Sequence, residues 1–273
     1  MEKFIKFYCQ NWKFWYKVTI VILSIFGLLT DYFWNIFHLD KVVSSDETNN
    51  NIYPWAVYDK TGTISHWNYA GYTMSWFSFF TTQTNILVLI WFLIAIKNHL
   101  QEEKSNILQS YFSLATAVYI TITCLIFNFL LLPMSLLNTN IVLNVWQWIA
   151  QLLLHTFIPI LTVVYIIVFA KHAQLISTKL VYKKKIGLFF IYPIIYLIYG
   201  VGKGLLCEYS GMDVNTAYQY FFLQVTNPNI LGLPGIVWLI IISILICGII
   251  FLFTGLYNFA YLVIAKYSEK KIS

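Results

Sequence analysis

The chain has 273 residues, of which 59% are hydrophobic, 19% aromatic and only 10% charged. A soluble domain usually carries about 25% charge, and no soluble core of this length hides so much apolar surface. With a mean hydropathy of +0.70, these values exclude an ordinary soluble enzyme, a disordered chain and a nucleic-acid module. They predict an all-α fold: a polytopic membrane bundle, embedded as one integral-membrane domain over 1–273.

Six apolar runs reach the ~20 residues needed to cross a bilayer: roughly 17–38, 75–96, 108–134, 144–170, 186–207 and 235–265. The first follows Lys3, Lys6, Lys13 and Lys17 but enters Asp31-Tyr32-Phe33-Trp34 with no small-x-small cleavage site, which predicts a retained signal anchor. Lysines also gather in 97–107 (Lys97, Lys104), 171–185 (Lys171, Lys179, Lys183, Lys184, Lys185) and the tail (Lys266, Lys270, Lys271). The other side holds Lys41 and Lys60 alone. This bias predicts six transmembrane helices with both termini cytoplasmic, in a multi-pass protein of the cell membrane.

All basic residues are Lys, so the bidentate Arg clamp for carboxylate or phosphate is missing. The net charge of +6 reads as loop lysines near anionic lipid rather than as nucleic-acid binding. Cys9, Cys124, Cys207 and Cys247 show no CxxC spacing and are expected to be unpaired thiols, neither bridged nor zinc-bound. No nucleotide loop, haem motif, dinucleotide fingerprint, HEXXH or GxSxG occurs, so no cofactor and no metal is expected.

Polar groups inside spans are costly and serve as the best functional pointers. At ~1.5 Å per helical residue, Asp31 lies about 10 Å below the outer end of span one, and the run Thr81-Thr82-Gln83-Thr84-Asn85 begins roughly 9 Å down span two. Asn128 sits at similar depth on span three. Gln147, Gln151 and His155 share one face of span four, with His155 about 16 Å deep. Lys203 and Glu208 close span five on the same side. The depths predict one outward-opening polar cavity, with no comparable set in the inner half. Asp31 is a candidate either to orient His155 or to pair with Lys203. Gly200, Gly202 and Gly204 are read as close-packing positions. Pro159 is expected to kink span four and free carbonyls near His155.

Four patches carry a resemblance. Phe80-Thr81-Thr82-Gln83-Thr84-Asn85 resembles the F-T-x-Q-S/T-N signature of a bacterial, mycoplasma-type six-span family of unknown function. Leu154-His155 with Pro159 resembles its L-H-x-x-x-P. Tyr192-Pro193 with Tyr196, Tyr199, Lys203 and Gly204 resembles its Y-P…Y…(basic)-G stretch. Tyr218-Gln219-Tyr220-Phe221-Phe222 resembles its Y-P-Y-F-F/L-D segment. The chain departs from the pattern at Val164-Tyr165 (for Asp-Trp), at Gln219 (for Pro) and at Lys203 (for Arg).

That family is distantly similar to the androgen-induced membrane proteins, intramembrane hydrolases of fatty-acid esters of hydroxy fatty acids that use a Thr and a His. The resemblance implies His155 as the base. It implies Thr81 if the preceding aromatic is matched, or Thr82 if the following Asn is matched.

The residues themselves suit such chemistry. A Thr hydroxyl needs a base, a neutral His within ~3 Å serves, and Asn85, Gln151 or Lys203 are candidate oxyanion donors. The expected partners are membrane lipid and a lipid-ester substrate, with no nucleic acid. Two other readings stand beside this one: a small-solute or proton-coupled transporter using Asp31, His155 and Lys203, and a non-catalytic protein that binds lipid or a partner chain.

Overall fold

A computed structural model describes residues 11–42, 44–45, 51–102, 105, 108, 111–137, 143–170 and 176–270. It is mostly helical, and six of its helical segments are long and apolar enough to span a membrane. Helix α1, Trp12–Phe37, starts at Asn11, whose side chain accepts from the amides of Lys13 and Phe14.

The segment between the first two spans is not plain loop. It carries two small antiparallel hairpins, β1 (Ser44–Ser45) with β2 (Asn51–Ile52) and β3 (Ala56–Tyr58) with β4 (Ile64–Trp67). Strands of two to four residues leave too little alternation to be read from sequence. The second turn is built on Asp59, whose carboxylate accepts the amides and hydroxyls of Thr61 and Thr63 at 2.6–3.1 Å. Those four donors hold its carboxyl well below the usual carboxylate range. Gly62 supplies the positive φ, 80°, that the turn needs.

Hydropathy merges the next two helices, which the structure separates. Helix α2, Tyr69–Phe77, is capped by Asn68 on the Gly71 amide, and α3, Phe80–Lys97, begins after an extended Phe79 (φ −71°, ψ 134°). Broken helices are tolerated at membrane depth where protein satisfies the freed backbone. Here the Tyr196 hydroxyl donates to the Ser78 carbonyl at 3.0 Å and accepts from the Phe80 amide at 3.1 Å. The Tyr199 hydroxyl meets Ser78 Oγ at 2.6 Å.

The third span is α4 (Tyr111–Ile126), a π-turn (Phe127–Leu131) and α5 (Leu132–Leu137). The fourth is α6 (Val145–Leu152), a π-turn (Leu153–Phe157), α7 (Ile158–Val164) and a second π-turn (Tyr165–Phe169). A short α8, Thr178–Lys184, precedes α9, Ile186–Tyr209. After α10 (Val214–Ala217) and a 3₁₀ turn at Phe221–Leu223 comes the long α11, Gly235–Lys270.

Span three is central: Ala117, Val118 and Ile120 are fully buried. Gly204 lies against Tyr218 and Gly200 against Leu223, so a Cβ at either would press on those rings and methyls; Gly202 faces open space. Two of the three glycines are therefore close-packing positions. Cys124, Cys207 and Cys247 are free thiols. Cys9 lies outside the described residues, as do Lys3, Lys6, Lys104, Lys171 and Lys271.

The end of the bundle where α1 begins also holds a buried charge, which the sequence does not single out. Lys17, 0% exposed, pairs with Glu102, and its ammonium donates to the Ala95 carbonyl at 2.8 Å. Tyr165 donates to the same Glu102 carboxylate at 3.1 Å. Its sequence position beside Lys13 makes Lys17 look like another flanking lysine.

A polar chamber around His155 and Thr82

Span four is interrupted by a π-turn where chemistry would be placed. Pro159 has no amide hydrogen, and the Ile158 amide bonds back five residues to Leu153. The carbonyls of Leu154 and His155 thus lose their helical donors, as the sequence predicts for this proline. Two asparagines from other spans replace those donors. Asn85 Nδ2 donates to Leu154 O at 3.0 Å, and Asn128 Nδ2 donates to His155 O at 3.1 Å. Asn128 Oδ1 also accepts from the Thr156 hydroxyl at 3.0 Å. Phe127, at the start of the other π-turn, stacks on the His155 ring with centroids 3.9 Å apart. The imidazole is therefore fixed by a bulge, two staples and a ring.

The staple makes a measurable prediction. Asn128→Leu should cost about 1–2 kcal/mol by leaving His155 O unpaired. In a Pro159→Ala background the new amide can bond that carbonyl, so the same substitution should cost at least about half as much less. Thermal unfolding of the four variants in one detergent reads the cycle. Equal costs in both backgrounds would refute the link between proline and asparagine.

His155 Nδ1 lies 2.9 Å from the Gln151 carbonyl. A carbonyl only accepts, so Nδ1 carries the hydrogen, and in the neutral ring Nε2 is left with a bare lone pair. Nε2 makes no hydrogen bond in the structure, nor does the Thr82 hydroxyl or the Gln151 side-chain amide. All three residues line a cavity of about 470 Å³ whose wall also includes Asp31, Trp76, Thr81, Gln219 and Tyr220. Thr82 is 5% exposed and His155 8%. No direct hydrogen bond joins His155 to either threonine.

Five of the seven candidate residues thus share one chamber: Asp31, Thr81, Thr82, Gln151 and His155. The other two do not line it. Asn85 has given its amide hydrogens to the carbonyls of Thr81 and Leu154, so it is a staple and has no donor left for an oxyanion. Lys203 reaches toward the Ala217 carbonyl at 3.5 Å. Asp31 is in the chamber, but its carboxylate accepts from the Trp76 indole at 2.6 Å. It neither orients His155, a task the Gln151 carbonyl performs, nor pairs with Lys203.

The polar run of α3 divides in the same way. Gln83 bonds the Phe77 carbonyl and the Tyr192 hydroxyl, and Thr84 bonds the Thr81 carbonyl and Thr123. Thr81 stands 3.5 Å from the Tyr220 hydroxyl. Thr82 alone of the run keeps an unengaged polar group facing the chamber.

One feature was invisible to hydropathy. Because α3 starts at Phe80, Thr81 and Thr82 lie in its first turn, where amides have no intrahelical acceptor. The positive end of an 18-residue helix is therefore directed at the chamber wall. The signal in sequence was Ser78-Phe79 ahead of the threonines, which reads as a continuous apolar run unless the tyrosines that cap the break are known.

Neither the protein-family models, nor the curated proteins, nor the solved structures contain a match to this chain.

Proposed function

We propose that this membrane protein is an intramembrane hydrolase of lipid-like esters, with Thr82 as nucleophile and His155 as general base. One observation carries the reading: the Nδ1–Gln151 hydrogen bond leaves the Nε2 lone pair of a buried His unengaged in a chamber that also holds an unengaged Thr hydroxyl. The resemblance to the androgen-induced hydrolases supports His155 as the base and a threonine of the 81–82 pair as its partner.

The chemistry runs as acyl transfer. Thr82 Oγ attacks the ester carbonyl while its proton passes to Nε2. The oxyanion is met by the Thr82 amide in the first turn of α3 and by the Gln151 side-chain amide. The alcohol leaves with the proton from Nε2, and water, activated by the same nitrogen, releases the acid and restores Thr82. The test is covalent labelling of the purified protein by an alkyl fluorophosphonate. Labelling that depends on both Thr82 and His155 is expected, and a folded protein that never labels would overturn the reading.

We propose further that the lysine-rich ends face the cytoplasm and that the protein resides in the cell membrane, on the strength of the lysine bias. In a cysteine-free background, a membrane-impermeant maleimide added to intact cells should label Gly62→Cys and not Lys184→Cys. The opposite pattern would invert the topology.

A further inference from the structure

Behind Thr81 lies a second cavity, about 110 Å³, of a different kind. Its walls are side chains of α3, of α4 and its π-turn, of α9, of the 220–223 segment and of α11, most of them apolar. Thr81, Phe127, Leu131 and Tyr220 line both this slot and the polar chamber, so the two spaces meet at one partition beside Thr82. At its other end the slot runs between α9 and α11 to Ile194, 52% exposed, and to the exposed Cys247. Both residues lie mid-way along membrane-spanning helices, so that end opens on lipid.

We propose that the slot is the acyl-chain subsite: it holds the first few carbons of the tail of an ester whose carbonyl stands in the chamber, and the rest of the tail runs out between α9 and α11 into lipid. This inference rests on the hydrolase reading of the chamber. The occupant follows from the two ends. One end is wet and carries the reacting groups, the other opens on the bilayer, and only a molecule with a polar reacting end and a hydrocarbon end fits both. The slot's contribution is positional. A tail already in lipid gains little from moving into another apolar space, but one held in a fitted slot fixes its carbonyl near the hydroxyl.

The experiment uses the full chain in detergent and palmitic acid carrying a diazirine on its tail. Irradiation and peptide mass spectrometry should place most adducts on 193–197 and 243–247. Ser243→Trp, which fills the slot, should lower them at least fivefold. Cys247→Trp, at the exposed mouth, is the second variant and should do the same without disturbing the interior. In turnover, either variant should shift the ratio of decanoyl to acetyl p-nitrophenyl ester hydrolysis at least fivefold toward acetyl. Adducts spread over lipid-facing positions such as Phe251 and Phe259, and insensitive to both substitutions, would overturn the slot. Slot adducts in a protein that shows no fluorophosphonate labelling would leave the subsite standing and overturn the hydrolase reading instead.

Discussion

Thr82→Ala and His155→Ala should each reduce fluorophosphonate labelling and ester turnover by about 10²–10⁴-fold, the range for losing a positioned base or its nucleophile. Thr81→Val should reduce them far less, because its hydroxyl is directed to Tyr220 and stands on the partition between two cavities. The contrast matters because sequence matching leaves the two threonines one position apart. Their surroundings separate them: both sit in the first turn of α3, but only Thr82 keeps an unengaged hydroxyl. The double variant Thr82→Ala/His155→Ala should be no worse than either single one, since residues acting as a unit are not additive. Labelling should be read beside thermal stability. His155 packs on Phe127, so a variant that loses labelling only in proportion to folded protein would assign the imidazole to packing. A Thr81→Val loss equal to that of Thr82→Ala would move the nucleophile. Gln151→Leu offers a graded control. Its backbone carbonyl still orients the ring, so only the amide donor is removed, and a loss of about 10–10³-fold is expected.

The architecture was legible because bilayer thickness writes itself into sequence as run length. All six predicted runs overlap the spanning helices, and the start of the second differs because an interrupted helix and a continuous one have the same hydropathy. The chamber was legible in part, and for a definable reason. Helix depth gives one of three coordinates. It puts Asp31, Thr82, Gln151 and His155 at compatible levels and they do share a cavity, but it puts Lys203 there too, and Lys203 points to Ala217 instead. The role of a polar side chain is set by its partner, which periodicity does not show. Asn85 and Asn128 look like site residues until the carbonyls freed by Pro159 are located, and then they are the donors those carbonyls require. The sequence shows a proline that frees carbonyls beside an intramembrane His and asparagines at matching depth on two other spans, but not that the one supplies the partners of the other. Pro133 stands in the same relation to the π-turn that carries Phe127.

The buried pair of Lys17 and Glu102 should dominate the stability of the end of the bundle where α1 begins. Lys17→Met takes the Lys17 ammonium from the Glu102 carboxylate, which keeps the Tyr165 hydroxyl, and removes the donor from the Ala95 carbonyl near the C-terminal end of α3. Losing one member of a buried pair costs about 3–5 kcal/mol. At about 2–4 °C per kcal/mol for a chain of this size, the apparent midpoint in a fixed detergent should fall by roughly 6–20 °C. Glu102→Gln should cost less, because the amide oxygen still accepts from both Lys17 and Tyr165. The double variant Lys17→Met/Glu102→Gln should recover at least half of the Lys17→Met loss, since it removes the stranded charge along with its partner. Lys60→Met, on the exposed hairpin turn, should leave the midpoint unchanged. The order of the variants is what separates a buried ion pair from a flanking lysine. A Lys17→Met protein as stable as Lys60→Met would place Lys17 at the headgroups, as the sequence alone reads it. A double variant no better than Lys17→Met would mean that the ammonium acts through Ala95 and not through Glu102. The recovered double variant would show instead that the Lys17→Met loss comes from the Glu102 carboxylate deprived of its Lys17 counter-charge.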